Sequence, residues 1–177
     1  DDESIIAGQG TVGLEVAEDL MALRDRVDAV LICCGGGGLT AGCAIAIKAT
    51  SPATAIYAVE PDGYDDHARS LKTGNIETVR TLSPSICDAL LAPQPGALTF
   101  SINSNLLAGG LAVSDEEVRG AVRYAFNKLK LVLEPSGAVA LAALLSGKLA
   151  SRYKSVAIIL SGGNVDPSVF ADCIAVS

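Results

Sequence analysis

Residues 27–49 read VDAVLICCGGGGLTAGCAIAIKA: an apolar run, four consecutive glycines and then a segment of small residues. The apolar run has the length and the aliphatic content of a buried strand. The small-residue segment after the glycines predicts a helix. A strand that enters a helix through a glycine loop begins a strand–helix–strand unit, so this stretch predicts an α/β fold with a parallel sheet.

The remainder of the chain continues this alternation of strands and helices. Strands are predicted over residues 27–34, 55–59, 111–113 and 156–160. Helices are predicted over residues 12–23, 39–49, 62–73, 100–107, 115–130 and 137–146, and from Pro167 onward. Residues 75–98 contain Pro and Ser without a clear period and predict a long irregular excursion. The predicted fold class is α/β: one domain over residues 1–177, with an open, mostly parallel twisted sheet and helices on both faces.

Composition excludes several classes of protein. Half of the residues (50%) are hydrophobic, which predicts one substantial core, and the formal net charge of −7 disfavours nucleic acid as a partner. The five cysteines lie in apolar runs without a CxxC pair, so we expect reduced, buried thiols and a cytoplasmic location. We find no signal-peptide pattern and no apolar run long enough to span a bilayer, so no membrane association is expected.

The four glycines predict a backbone site for a phosphate. Gly35, Gly36, Gly37 and Gly38 allow positive φ and close approach of the backbone, so their N–H groups can point at an anion at the start of a helix. A tight strand-to-helix turn is the simpler alternative, but two glycines would suffice for it. The GxxxxGK pattern of nucleotide-binding P-loops is absent, which disfavours nucleoside triphosphate hydrolysis.

A second glycine pattern lies upstream, in the GQGTVG of residues 8–13. It matches GxGxxG but follows a polar stub, whereas a dinucleotide-binding fingerprint requires a preceding strand. We interpret it as a turn and a helix start. Because such a stub is unlike the first strand of an independent α/β domain, we also expect a segment upstream.

Two further predicted strand ends carry polar groups that could meet the glycines, since ligands of parallel sheets bind at the carboxyl ends of the strands. Ser161 begins an SGGN turn, where its neutral hydroxyl could donate to a ring nitrogen; an ordinary β-turn is the alternative. Glu60, the Tyr64 carbonyl and Asp66 could supply hard oxygen ligands to Mg²⁺ or Ca²⁺. The alternative is that an aspartate merely caps the following helix. His67 is interpreted as a surface residue.

Five segments taken in order resemble the pyridoxal-phosphate (PLP) enzymes of the serine/threonine dehydratase and serine racemase family, the second fold type of PLP enzymes. They are GQGTVGLEV, CCGGGGLTAG, YAVEPDGYDD, LVLEPSGAVALAALL and ILSGGNVD. The resemblance covers nearly the whole chain and corresponds to the C-terminal portion of the family. It implies the large domain of a tryptophan-synthase-β-like PLP enzyme.

The resemblance also implies roles for individual residues. The four glycines and Leu39 would hold the cofactor phosphate through backbone amides, and Ser161 would face the pyridine nitrogen. Glu134 would lie near the cofactor, although it could only fix its loop. Glu60, Tyr64 and Asp66 match the divalent-cation site of family members.

One departure from the family pattern is large. The Schiff-base lysine, and a serine on the opposite face of the substrate, belong to an N-terminal segment that has no counterpart here. No lysine of this chain sits in that motif; the lysines are Lys48, Lys72, Lys128, Lys130, Lys148 and Lys154. We therefore expect no catalytic residue in this chain and no activity from it alone.

The resemblance predicts β-elimination of L-threonine or L-serine to a 2-oxo acid and ammonia. A hydroxyaspartate dehydratase and a serine racemase are the alternatives within the family. A non-catalytic fragment that binds a phosphorylated ligand is the alternative from another class. The expected partners are the amino-acid substrate, the N-terminal segment of the same enzyme and a second copy in a homodimer.

Overall fold

The computed structural model describes residues 1–23, 26–80 and 83–175. The strands are β1 (Ala29–Cys33), β2 (Ala55–Pro61), β3 (Gly109–Val113) and β4 (Val156–Ile158). The helices are α1 (Glu3–Leu23), α2 (Gly38–Thr50), α3 (Asp66–Thr73), α4 (Ala97–Leu106), α5 (Asp115–Tyr124), α6 (Pro135–Leu145) and α7 (Pro167–Ile174). A 3₁₀ turn spans Asp88–Leu90, and a π-helical segment spans Ala125–Leu129.

The strands form one parallel sheet in the order β3-β2-β1-β4. In the register of the central strand, Ala29 lies opposite Ala55 of β2 and Val156 of β4. The chain grows from β1 to β3 in one direction and then returns to add β4 on the other side of β1. The boundary between β1 and β4 is therefore the topological switch point, where open α/β sheets bind their ligands.

Helices cover both faces of the sheet, as the sequence predicts. Successive residues of a strand point to opposite faces, so Leu31 joins a core with side chains of α5, α6 and α7. Its neighbours Val30 and Ile32 join a second core with Cys43 and Ile47 of α2. All five residues of β1 are buried, which accounts for their continuous apolar sequence. The predicted α/β fold class is confirmed.

Helix α1 begins nine residues earlier than predicted, at Glu3 rather than at residue 12, and contains the whole GQGTVG pattern. The prediction of a polar stub and a turn there was wrong. The glycines let α1 approach α2 closely: a Cβ at Gly10 would lie 3.1 Å from the carbonyl oxygen of Gly42, and one at Gly13 would lie 2.7 Å from Cys43 Cα. This GxGxxG pattern thus serves helix packing rather than dinucleotide binding.

Other boundaries shift by a few residues. Helix α3 begins at Asp66 rather than at residue 62 and ends, as predicted, at Thr73. The helix predicted to reach residue 130 is α-helical only to Tyr124 and continues as the π segment. Strand β4 has three residues instead of five. The predicted excursion over residues 75–98 contains the 3₁₀ turn and the start of α4, and its residues 81 and 82 lie outside the described ranges.

The five cysteines are buried and unpaired, as expected. Among the helices of the described ranges, none is both long and apolar enough to cross a membrane.

Candidate cofactor site

Three predicted site segments do follow the carboxyl ends of strands in the same sheet. The glycine loop (residues 35–38) follows β1, Glu60 lies at the end of β2, and Ser161 follows β4. Because β1 lies between β2 and β4, the glycine loop occupies the centre of this edge. The predicted placement of the three segments at strand ends is confirmed, and the ligand site there stays a prediction.

A carbonyl group of the glycine loop is fixed by hydrogen bonds from the start of α4. Gly36 O accepts a hydrogen bond of 2.6 Å from Thr99 Oγ1 and one of 3.2 Å from Gly96 N. In contrast, no group of the described residues accepts a hydrogen bond from the N–H groups of residues 35–37. These N–H groups are available to an anion, and α2 starts at Gly38 with its own free first-turn amides.

Gly37 is the position at which only glycine fits. Its φ is 95°, in the left-handed region, and a Cβ there would lie 2.9 Å from His67 Cε1. The same Cβ would lie 3.0 Å from Thr99 Oγ1 and from Asn103 Nδ2. Both backbone strain and lack of space therefore exclude a side chain.

The loop opens into a pocket of about 200 Å³, which we call the glycine pocket. Its lining residues are Cys33, Cys34, Gly35, Gly36, Gly37, Gly38, Leu39, Thr40, Ala89 and Leu90. A Cβ at Gly36 would meet nothing within 4 Å, so the backbone there is open to a ligand. Unpaired amides, a helix N-terminus and open space fit the phosphate of PLP.

Ser161 is joined to the glycine pocket through Cys33. The Cys33 Sγ and Ser161 Oγ atoms are 3.0 Å apart, and Cys33 lines the pocket. Burial raises the pKa of the Cys33 thiol, so the sulfur keeps its proton at neutral pH and can donate it to Ser161 Oγ. The hydroxyl proton of Ser161 is then free to point at a ligand.

Glu134 contacts the SGGN turn rather than the glycine pocket. Its Oε2 accepts a hydrogen bond of 3.1 Å from Asn164 N, and its backbone N–H donates to Gly162 O at 3.1 Å. A Cβ at Gly162 would lie 2.6 Å from the Glu134 Cδ. The geometry therefore favours the alternative in which Glu134 fixes the turn that carries Ser161.

The proposed cation ligands Glu60 and Asp66 are each only 1% exposed. Glu60 Oε1 accepts from His67 N at 2.9 Å, and Oε2 accepts from Ala68 N at 2.7 Å, so Glu60 caps the start of α3. Burial raises the pKa of Glu60 to about 8, and the nearby Asp66 charge adds to this. Burial also raises the pKa of Asp66 to about 6.

A divalent cation would fit this pair of carboxyl groups. Asp66 Oδ2 is buried and has no hydrogen-bond partner among the described residues, and a cation would relieve the cost of burying both charges. Within the described ranges no three His, Cys, Asp or Glu side chains are grouped around a metal position. The predicted site has only two such side chains and would be completed by the Tyr64 carbonyl. It therefore stays a prediction. The alternative, an aspartate cap, is not seen at Asp65, whose side chain makes no capping bond and instead pairs with Arg69 at 2.9 Å.

The interpretation of His67 as a surface residue was wrong. Its side chain is completely buried, and burial lowers its pKa to about 4. Its Nε2 lies 3.0 Å from Asn103 Nδ2. Sequence analysis also missed Thr99 and Asn103. Their separation of four residues places both on one face of a helix, and two polar side chains on one face can indicate a buried polar contact.

Two lysines make contacts away from the glycine pocket. Lys148 pairs with Glu117 at 3.1 Å, and Lys48 Nζ donates to Pro52 O at 3.0 Å. No lysine is among the residues that line the glycine pocket in the described part of the chain.

Comparison with known proteins defines the class. Residues 1–162 match the family described as "Pyridoxal-phosphate dependent enzyme", and the chain belongs to this family. It is 42% identical over 171 residues to the L-threonine dehydratase catabolic TdcB of Escherichia coli K12. The aligned region covers 95% of this chain and 50% of that protein. It is also 39% identical over 171 residues to the serine racemase of Dictyostelium discoideum. That alignment covers 95% of this chain and 51% of the racemase.

Solved structures agree. A threonine deaminase from T.th. superimposes with a TM-score of 0.89 and 41% identity, covering 94% of this chain and 56% of that one. Maize serine racemase gives a TM-score of 0.84 and 37% identity, with 94% and 50% covered. The predicted membership in the second fold type of PLP enzymes is confirmed. The chain spans about half the length of the curated relatives it matches.

Proposed function

We propose that this chain forms the PLP-binding part of an L-threonine or L-serine dehydratase, which releases a 2-oxo acid and ammonia by β-elimination. The observation that carries the proposal is the glycine pocket, which lies at the switch point of the sheet. Its amides have no acceptor among the described residues, and its lining residue Cys33 contacts the Ser161 hydroxyl. The similarity to threonine dehydratases supports the choice of substrate.

Each group of this chain has a distinct role in the proposal. The amides of residues 35–39 bind the cofactor phosphate and fix its position. When bound, PLP supplies an electron-withdrawing pyridine ring that acidifies the α-proton of the amino acid. Ser161 donates a hydrogen bond to the ring nitrogen without transferring a proton, which suits elimination of a β-hydroxyl. Glu134 holds the turn that carries Ser161.

The proposal extends to a cation. Glu60, the Tyr64 carbonyl and Asp66 would hold Mg²⁺ or Ca²⁺, supported by the unpartnered Asp66 Oδ2 and by two adjacent buried carboxyl groups. The cation would hold the start of α3 in place next to the glycine loop. It has no part in bond breaking.

Further features of the parent enzyme belong to the same proposal. The lysine that reacts with the cofactor, and the serine on the opposite substrate face, would come from the N-terminal half of the enzyme. We also propose a homodimer and, from the five buried free thiols, a cytoplasmic location.

The test is complementation of the chain with the N-terminal half of the enzyme in the presence of PLP. We expect a visible absorption band of lysine-bound cofactor and release of 2-oxo acid from L-threonine or L-serine. Release from 3-hydroxyaspartate alone would identify a hydroxyaspartate dehydratase, and formation of D-serine would identify a racemase. These finer alternatives are supported by the similarity to a serine racemase and to an L-threo-3-hydroxyaspartate ammonia-lyase of Pseudomonas.

A non-catalytic module that binds phosphorylated ligands is the alternative from another class. It predicts that the chain binds pyridoxamine 5′-phosphate, yet that the complemented protein neither develops the absorption band nor releases product. That result would overturn the enzyme proposal while leaving the phosphate site intact.

A further inference from the structure

A buried polar pair lies directly behind the glycine loop. His67 of α3 and Asn103 of α4 are both completely buried, and His67 Nε2 lies 3.0 Å from Asn103 Nδ2. The imidazole ring also contacts Phe100 edge-on, with ring centroids 6.1 Å apart. A Cβ at Gly37 would touch both members of the pair, so they form the back wall of the loop.

Asn103 of the pair and Thr99, both on α4, donate hydrogen bonds to the loop carbonyls. Asn103 Nδ2 donates to Gly37 O at 3.4 Å, and one turn earlier on α4 Thr99 Oγ1 donates to Gly36 O at 2.6 Å. Two successive carbonyls are thus held toward the protein interior. Because the plane of each peptide unit is fixed, holding its carbonyl toward the interior turns the attached N–H group toward the pocket.

The pair is unfavourable for stability alone. His67 Nδ1 and Asn103 Oδ1 are buried without a hydrogen-bond partner among the described residues. Each such atom loses its hydrogen bonds to water on folding without replacing them, whereas apolar side chains of the same shape would lose none. A purely structural role would be better served by a phenylalanine and a leucine.

We propose that His67 and Asn103 are positioning residues of the phosphate site, which hold Gly37 in its left-handed conformation so that the loop amides face the cofactor phosphate. The proposal rests on the proposed function, since it gives the loop a phosphate to bind. His67 also donates its backbone N–H to Glu60 Oε1 at the proposed cation site. The start of α3 therefore joins that site to the back wall of the loop.

The hydrogen bonds fix the tautomer of His67. Gly37 O can only accept, so the Asn103 atom that faces it is the amide nitrogen, as assigned from the network. That nitrogen also faces His67 Nε2, which must accept and therefore carries no proton. The neutral imidazole is protonated on Nδ1.

The first test compares ligands with and without a phosphate. Affinities of the chain for inorganic phosphate, pyridoxamine 5′-phosphate and pyridoxamine are measured by isothermal titration calorimetry for the wild type, His67→Phe and Asn103→Leu. Asn105→Leu is the matched control, because Asn105 is exposed on the same helix. We expect each buried variant to lose about tenfold in affinity for the two phosphorylated ligands, the effect of one lost hydrogen bond, with the control unchanged.

The double variant His67→Phe/Asn103→Leu should keep its thermal stability better than either single variant, because each single variant leaves the other member of the pair without its partner. A fall in phosphate affinity without a fall in stability separates positioning from packing. Wild-type affinity in both folded variants would overturn the positioning role alone. Failure of the wild type to bind either phosphorylated ligand would overturn the proposed function and the positioning role with it.

The second test needs no variant. His67 is the one histidine of the sequence, so its ring nitrogens can be observed selectively by two-dimensional ¹H–¹⁵N NMR of the wild-type chain. We expect the Nδ1–H tautomer at neutral pH and a shift of the ring signals when phosphate is added. The Nε2–H tautomer, or ring signals that do not move when phosphate binds, would overturn the proposal even if both variants failed to fold.

Discussion

Cys33 Sγ and Ser161 Oγ lie 3.0 Å apart, where two adjacent parallel strands end. Cys33 is buried and keeps its proton, whereas Ser161 is exposed. The thiol can therefore set the direction of the hydroxyl proton, which is the group proposed to face the pyridine nitrogen.

Removing the Ser161 hydroxyl should weaken binding of pyridoxamine 5′-phosphate. For Ser161→Ala we expect about tenfold lower affinity, as for one lost hydrogen bond, and a shift in the ultraviolet absorption of the bound ring. Cys33→Ser should retain most of the affinity and Cys33→Ala should lose part of it. Ser104→Ala, at an exposed position of α4, is the control. An unchanged spectrum and affinity in Ser161→Ala would refute the ring-nitrogen assignment.

Two neighbouring glycines should respond differently to alanine. Gly37→Ala combines a left-handed φ with contacts of 2.9–3.0 Å, so we expect a loss of about 1–3 kcal/mol in the free energy of unfolding. In Gly36→Ala the new Cβ meets nothing within 4 Å, so stability should be preserved while the methyl group obstructs the phosphate. Urea denaturation and phosphate titration separate the two effects. Equal stability loss in both variants would contradict the described loop geometry.

The helix pair α1 and α2 offers a second matched comparison. A Cβ at Gly8 would meet nothing within 4 Å, so Gly8→Ala should stabilise the protein by up to about 1 kcal/mol through helix propensity. A Cβ at Gly13 would lie 2.7 Å from Cys43 Cα, so Gly13→Ala should force the helices apart and destabilise the protein by about 1–3 kcal/mol. Thermal unfolding by circular dichroism measures both. Stabilisation by Gly13→Ala would mean that the helices do not touch there.

The pH dependence of stability should report on the buried carboxyl groups. The pKa of Glu60 is raised from its ordinary value of 4.5 to about 8, so the folded state binds more protons than the unfolded state in between. The free energy of unfolding should therefore fall as pH rises from about 6.5 to 8, a range above the ordinary pKa of His67 and the raised pKa of Asp66.

Magnesium or calcium should reverse this fall, because a cation stabilises the ionised pair. Denaturation at pH 8 with and without the divalent salt, with sodium chloride at matched ionic strength as control, measures the effect. In Asp66→Asn the cation effect should disappear while the glycine pocket still binds phosphate. A cation effect of full size in that variant would place the cation elsewhere.

Sequence reasoning identified the sheet and the glycine loop because each is encoded locally. The strand β1 is apolar throughout, and consecutive glycines mark the boundary between β1 and α2. The sequence-based predictions were wrong for residues whose surroundings come from segments far away in the chain. His67 looks like a polar residue on a polar helix, but it is buried against the glycine loop and α4, which brings Asn103 from 36 positions away. The prediction for the glycines of α1 was wrong for a related reason. From the sequence alone, a glycine that makes room for another helix cannot be distinguished from a glycine that forms a turn.

The position of β4 beside β1 has a consequence for folding. The contact between Cys33 and Ser161 spans 128 positions, so forming it closes a loop that contains most of the 177-residue chain. Contacts of such long separation form slowly and late. During synthesis, one edge of β1 therefore stays unpaired until the last strand emerges, exposed to pairing with another chain. The contact of Ser161 with Cys33, which lines the glycine pocket, forms in the same late step that closes this edge.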